Sequence, residues 1–182
     1  FVTAENVLPK ILTGYGMVPG VAFTSDVSGP WDRPGSHRVV HLADGSTVNE
    51  GLTHYDRPSY FAYRVSDPSF ALKHLMTQAR GEFWFQPADG GTKVKWTYTF
   101  QAKNGLAKLP LLLFVKSQWK GYMDRCLANV IKYFTAQRTA SAVPNPPAVE
   151  NRSTKRSGSE MGIASWVRLA RRPHSLQLID IN

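Results

Sequence analysis

The sequence predicts an α+β domain in which a long C-terminal helix closes a curved antiparallel sheet over an apolar cavity. Three observations carry this. Residues Thr92–Lys103 alternate strictly: Val94, Trp96, Tyr98 and Phe100 point one way, Lys95, Thr97, Thr99 and Gln101 the other. Residues Leu106–Phe134 repeat apolar side chains at three- and four-residue steps, as a one-faced helix does. Turn residues that accept positive φ, such as Asp44-Gly45 and Asp89-Gly90, punctuate the chain before the helix.

The elements follow in order. Val2–Leu12 reads as a short helix with Thr3 as N-cap, ended by Gly14, Gly16, Pro19 and Gly20. Val21–Ser28 is a strand, and Gly29–Gly35 is a loop held stiff by Pro30 and Pro34. His37–Leu42 turns through Ala43–Ser46 into Thr47–Tyr55. Asp56-Arg57-Pro58 leads to the aromatic strand Tyr60–Val65, and a looser connection, Ser66–His74, leads to Met76–Gln86. Ala88–Gly91 turns that strand into Thr92–Lys103. Phe83 and Phe85 share a face with Gly81, so the last two strands present an aromatic surface that another layer must cover. The helix supplies the cover through Val115, Trp119, Tyr122, Cys126, Val130 and Tyr133, with Met123, Leu127, Ile131 and Phe134 widening the stripe. The composition then changes. Residues 137–182 read as a linker and basic disordered tail, which leaves residues 1–136 as the folded domain.

Composition supports one packed domain: 182 residues, 42% hydrophobic, 12% aromatic and 19% charged. The net charge of +9 does not indicate nucleic acid. Residues 137–182 hold seven Lys/Arg against three Asp/Glu, so nearly half the excess lies in the tail, and the remaining basic residues are spread singly. One cysteine, Cys126, excludes an internal disulfide and any multi-cysteine zinc site, and fits a reducing, cytoplasmic compartment. No run approaches the roughly 20 apolar residues of a spanning helix. In the tail, Trp166 with Arg168, Arg171 and Arg172 could touch an anionic membrane, but a plain disordered tail is the expected reading. The residues leave the oligomeric state open.

No strong catalytic motif is present. His37 and His41 share a strand face about 13 Å apart, too far to chelate one ion, and no helix carries a His-Glu-x-x-His pattern, so neither a metal nor a cofactor is expected. Cys126 lies on the apolar stripe, where a cysteine acts as a small hydrophobe. Glu50 is the informative carboxylate. It shares a strand face with Val48 and Leu52, so if that face is internal Glu50 is buried and needs a partner; Arg38, Arg64 and Tyr98 are candidates. Such a group could orient a ligand's polar end or transfer a proton. The alternative is a solvent-facing Glu on a twisted strand.

Several segments in order, Gly29-Pro30-Trp31-Asp32 with Pro34-Gly35, Leu42–Ser46, Asp56-Arg57-Pro58, Gly90–Trp96 and the helix carrying Trp119–Met123, make residues 1–136 resemble the START-like, or SRPBCC, superfamily of polyketide cyclases/dehydrases and lipid-transport proteins. The resemblance implies the Bet v 1-like helix-grip fold. It also implies a first strand before the first helix, which this chain, beginning at Phe1, lacks. Functionally it implies a cavity for a small hydrophobic or aromatic ligand, lined by Phe61, Tyr63, Phe83, Phe85, Trp96, Tyr98, Trp119 and Tyr122. A carrier or sensor is the first expectation. A cyclase- or dehydratase-like enzyme using Glu50, Arg64 and Tyr98 as acid–base or orienting groups is the second.

Overall fold

A computed structural model of the chain describes residues 6–88 and 91–141. The expectations for residues 1–5, for Asp89-Gly90 and for the chain after Ser141 fall outside the described residues.

Among the described residues, six strands form one open antiparallel sheet in sequence order: β1 (Val21–Ser25), β2 (His37–Leu42), β3 (Thr47–Asp56), β4 (Tyr60–Ser66), β5 (Met76–Ala88) and β6 (Gly91–Ala102). β1 is shorter than the expected Val21–Ser28. Asp26 takes a left-handed φ of 51°, which takes the chain out of the extended ladder. The β2–β3 hairpin forms where Asp44-Gly45 predicts it. Gly45 has φ of 83°, and the Asp44 carboxylate accepts from the Ser46 N–H at 3.0 Å and its hydroxyl at 2.6 Å. The ladder shifts register at Val21/Phe23, Leu52/His54 and Met76/Gln78, and such irregularities bend strands.

The first helix, α1, covers only Leu8–Ile11 among the described residues, rather than Val2–Leu12. Pro9 has no N–H to give, and in the first turn of this helix it needs none. The long helix is continuous in three parts: α2 (Lys108–Phe114), a π-helical segment Val115–Trp119, and α3 (Lys120–Ser141). It starts two residues after the expected Leu106, where the Asn104 carboxamide accepts from the Ala107 N–H at 2.9 Å. Pro110 falls in the first turn, where its missing N–H costs nothing.

α3 lays Tyr122, Met123, Cys126, Leu127 and Val130 on the sheet, and the core closes around Leu52, Met123 and Val40. Ile131 and Phe134 do not widen the buried stripe as expected; they are 44% and 41% exposed. At 100° per residue Ile131 falls beyond the arc from Tyr122 to Leu127 that holds the buried side chains, and Phe134, though within that arc, lies a turn past Val130, the last buried helix residue among those described. The segment after α1 is strapped to the helix. Asn129 donates to the Ile11 carbonyl at 2.9 Å and to Thr13 at 3.0 Å, and Gln118 accepts from the Met17 N–H at 3.1 Å. These bonds hold Leu12 and Val18 against the space between sheet and helix.

Candidate functional site

β2 and β3 place Arg38 opposite Glu50 in the ladder, both on the inner face. Arg38 donates from Nε at 2.9 Å and from Nη2 at 2.7 Å, and both bonds end on Glu50 Oε2. The two side chains are 5% and 8% exposed. The guanidinium carbon also sits 3.9 Å above the Trp31 ring, a cation–π contact in a desolvated place. Trp31 reaches there because its loop is tied to β3. Gly35 N–H donates to the Leu52 carbonyl and Leu52 N–H to the Ser36 carbonyl, each at 2.8 Å, and the Ser36 hydroxyl donates to the Pro30 carbonyl at 2.9 Å.

Aromatic rings continue from this pair along β4, β5 and β6 to the helix. Phe61 and Trp96 each stack on Phe83, with centroids at 4.7 and 4.8 Å. Trp96 meets Tyr98 at 5.5 Å, Tyr98 meets Trp119 at 4.9 Å, and Trp119 meets Tyr122 at 5.1 Å. The Trp96 indole N–H donates to Tyr63 Oη at 3.2 Å, and the Tyr63 and Tyr98 hydroxyls are hydrogen-bonded to each other at 2.8 Å. Gly81, paired with both Tyr63 and Tyr98, makes this possible: a Cβ there would strike the Tyr63 ring.

Among the described residues, two neighbouring cavities between sheet and helix matter to the site. The larger holds about 60 Å³ of space open to the centre of a water molecule. Val40, Leu42 and Val48 bound it from the sheet, and Trp119 and Tyr122 from the helix. Glu50 is the one charged side chain on its wall. The smaller holds about 30 Å³ by the same measure and is bounded by Trp31, Arg38, Phe61, Tyr63 and Phe83. Glu50 and Trp96 border both, so the carboxylate stands at the partition between them.

The expected site residues therefore divide. Trp96, Tyr98, Trp119 and Tyr122 border the larger cavity, and Phe61, Tyr63, Phe83 and again Trp96 the smaller. Phe85 is half-buried against Phe61 and Phe83, and borders neither. Arg64 is exposed on the outer face of β4, away from Glu50, because it alternates with the inward Phe61, Tyr63 and Val65. Sequence reasoning missed Trp31 and the aliphatic wall. The signal for the wall was present, since Val40 and Leu42 share strand parity with Arg38.

The phenols are donors, not bases. Burial first, then the Glu50 charge, holds Tyr63 well above the usual tyrosine range. Tyr98 is raised by burial, then by Tyr63 and Glu50. Tyr122 is raised by burial, then by Cys126 and Glu50. Burial alone pushes the Cys126 thiol up to about 12. At neutral pH all four stay protonated. Buried Trp119 Nε1 has no acceptor among the described residues.

A sheet gripped by a C-terminal helix, with an apolar internal cavity and one buried ion pair, defines a helix-grip α+β domain. Residues 12–135 match the family described as Polyketide cyclase / dehydrase and lipid transport, and the chain belongs to that family, known for binding hydrophobic ligands. The crystal structure of Ara h 8.0201 is similar in fold at 20% identity, with a TM-score of 0.50 over 72% of this chain and 84% of that one. A crystal structure of ginseng major latex-like protein 151 from Panax ginseng aligns at 14% identity and a TM-score of 0.49, over 79% of this chain and 85% of that one. No curated protein matches the chain in sequence.

Proposed function

We propose that this chain is a carrier or sensor that holds a small, mainly apolar molecule between the sheet and the long helix. One observation carries the reading: an internal cavity walled by aliphatic and aromatic side chains, with Glu50 as its one charged group. Apolar walls supply affinity, and a few polar groups set orientation. The unpartnered Trp119 N–H and the Tyr63–Tyr98 hydroxyl pair offer further polar anchors. In the larger cavity, Trp96, Tyr98, Trp119 and Tyr122 are the ligand-facing aromatics; in the smaller, Phe61, Tyr63 and Phe83. Cys126 as the single, free cysteine favours a reducing, cytoplasmic setting.

The cyclase- or dehydratase-like alternative is weaker. Of its three groups, Arg64 faces outward and is lost to the site, while Glu50 and Tyr98 border the same cavity with the phenol held protonated. Among the described residues no helix is long and apolar enough to cross a membrane.

Native mass spectrometry of the full chain purified from its host tests the proposal. The expected spectrum carries a small adduct of constant mass that is lost on activation. Val48→Phe, which fills the larger cavity, should abolish the adduct while leaving the fold intact by circular dichroism. A bare chain mass in every preparation, together with no response to small apolar probes, would overturn it.

A further inference from the structure

We infer that the cavity selects an uncharged ligand that donates a hydrogen bond, such as a phenol, an alcohol or an N–H heterocycle, and that Glu50 Oε1 is the acceptor. This rests on the reading that the cavity holds a ligand.

The carboxylate is half used. Both Arg38 bonds end on Oε2. No donor among the described residues reaches Oε1, yet Oε1 is not among the buried atoms shut off without a partner, and Glu50 borders both cavities. The oxygen therefore opens onto the internal space. A carboxylate oxygen accepts only, so what it lacks is a donor. The wall around it in the larger cavity is otherwise uncharged, and a neutral N–H or O–H entering there gains a charge-assisted bond that water outside supplies less well.

Charge balance decides the ligand's own charge. Arg38 and Glu50 neutralise each other, and the guanidinium is covered by Trp31. A ligand ion of either sign would be buried with nothing to offset it. An anion fares worse still, because it meets the Glu50 carboxylate in a low-dielectric space. The neighbouring phenols register that field, since the Glu50 charge contributes to keeping Tyr63, Tyr98 and Tyr122 neutral.

The test is a titration of the ¹⁵N-labelled full chain at pH 7 with benzene, phenol, benzoate and benzylammonium. The indole N–H resonances of Trp96 and Trp119, which both border the larger cavity, are the readout. Phenol is expected to bind about tenfold or more tightly than benzene, the worth of one hydrogen bond to a charged group. Benzoate and benzylammonium should bind more weakly than phenol. Equal affinity for benzene and phenol overturns the donor inference and leaves the cavity reading standing. A charged probe that outbinds phenol overturns it too. If none of the four moves either resonance, the cavity reading itself falls and takes the inference with it. Glu50→Gln leaves Arg38 unopposed, so in that variant benzoate should overtake phenol. An unchanged rank order in folded Glu50→Gln removes Glu50 as the acceptor. Should that variant fail to fold, the native series alone decides.

Discussion

Arg38 and Glu50 face each other across the β2–β3 ladder and share a single oxygen: two N–H bonds, at 2.9 and 2.7 Å, converge on Glu50 Oε2. Removing one member of a buried pair strands the other charge, which costs about 3–5 kcal/mol, whereas replacing both with apolar groups is often neutral. Arg38→Met and Glu50→Leu should each lower unfolding free energy by about that much. The double variant should lose far less than the two single losses combined. Urea unfolding of all four proteins measures this, and strictly additive losses would show that the two groups do not act as a pair.

Gly81 leaves the space that the Tyr63 ring occupies. Tyr63 cannot swing aside freely, because its hydroxyl is bonded to Tyr98 and Trp96. Gly81→Ala should therefore destabilise by about 1–3 kcal/mol, the usual cost of overpacking. In a Tyr63→Ala background the same substitution should cost little. Chemical denaturation of the four-member cycle reads the difference, and an equal cost in both backgrounds would place the strain elsewhere.

Alkali should unfold this domain early. Cys126 is raised from 9.0 to about 12, and Tyr63, Tyr98 and Tyr122 are all raised above 10.0. In each case the folded state holds its proton more tightly than the unfolded chain does. The stability from these groups is thus complete below pH 9 and is lost as pH rises, by up to about 1.4 kcal/mol per pH unit for each group in its window. Cys126→Ala should flatten the curve between pH 9 and 10 and leave the tyrosine-driven loss beyond it. The check is urea unfolding from pH 8 to 11. Iodoacetamide at pH 8 should leave native Cys126 unmodified, and rapid alkylation would contradict its burial.

Much of the site was readable from periodicity and turn chemistry. The inward face of β6 is the alternation of Val94, Trp96, Tyr98 and Phe100, and Glu50 is internal because Val48 and Leu52 share its parity. Parity also separates Arg64, which alternates with inward Phe61, Tyr63 and Val65, from Arg38, which keeps step with inward Val40 and Leu42. The register across the turn came only from the structure: a two-residue Asp44-Gly45 turn would set Arg38 opposite Gly51, whereas the observed loop sets His41 opposite Thr47 and Arg38 opposite Glu50. The π-helical segment Val115–Trp119 had no such signal, since one extra residue in a turn barely disturbs an apolar stripe.

The sequence by itself determined the layers, the hairpin, the helix stripe and the strand face that Glu50 shares with Val48 and Leu52. These depend on strand and helix periods and on local turn geometry, all of which act over a few residues. Only the tertiary structure decided that Trp31 covers the Arg38 guanidinium, that Glu50 Oε2 is saturated while Oε1 faces open space, and that the aromatic faces leave two cavities instead of packing solid. Those outcomes depend on how side chains far apart in the chain fill a shared volume, and no repeat along the sequence encodes the gaps between them.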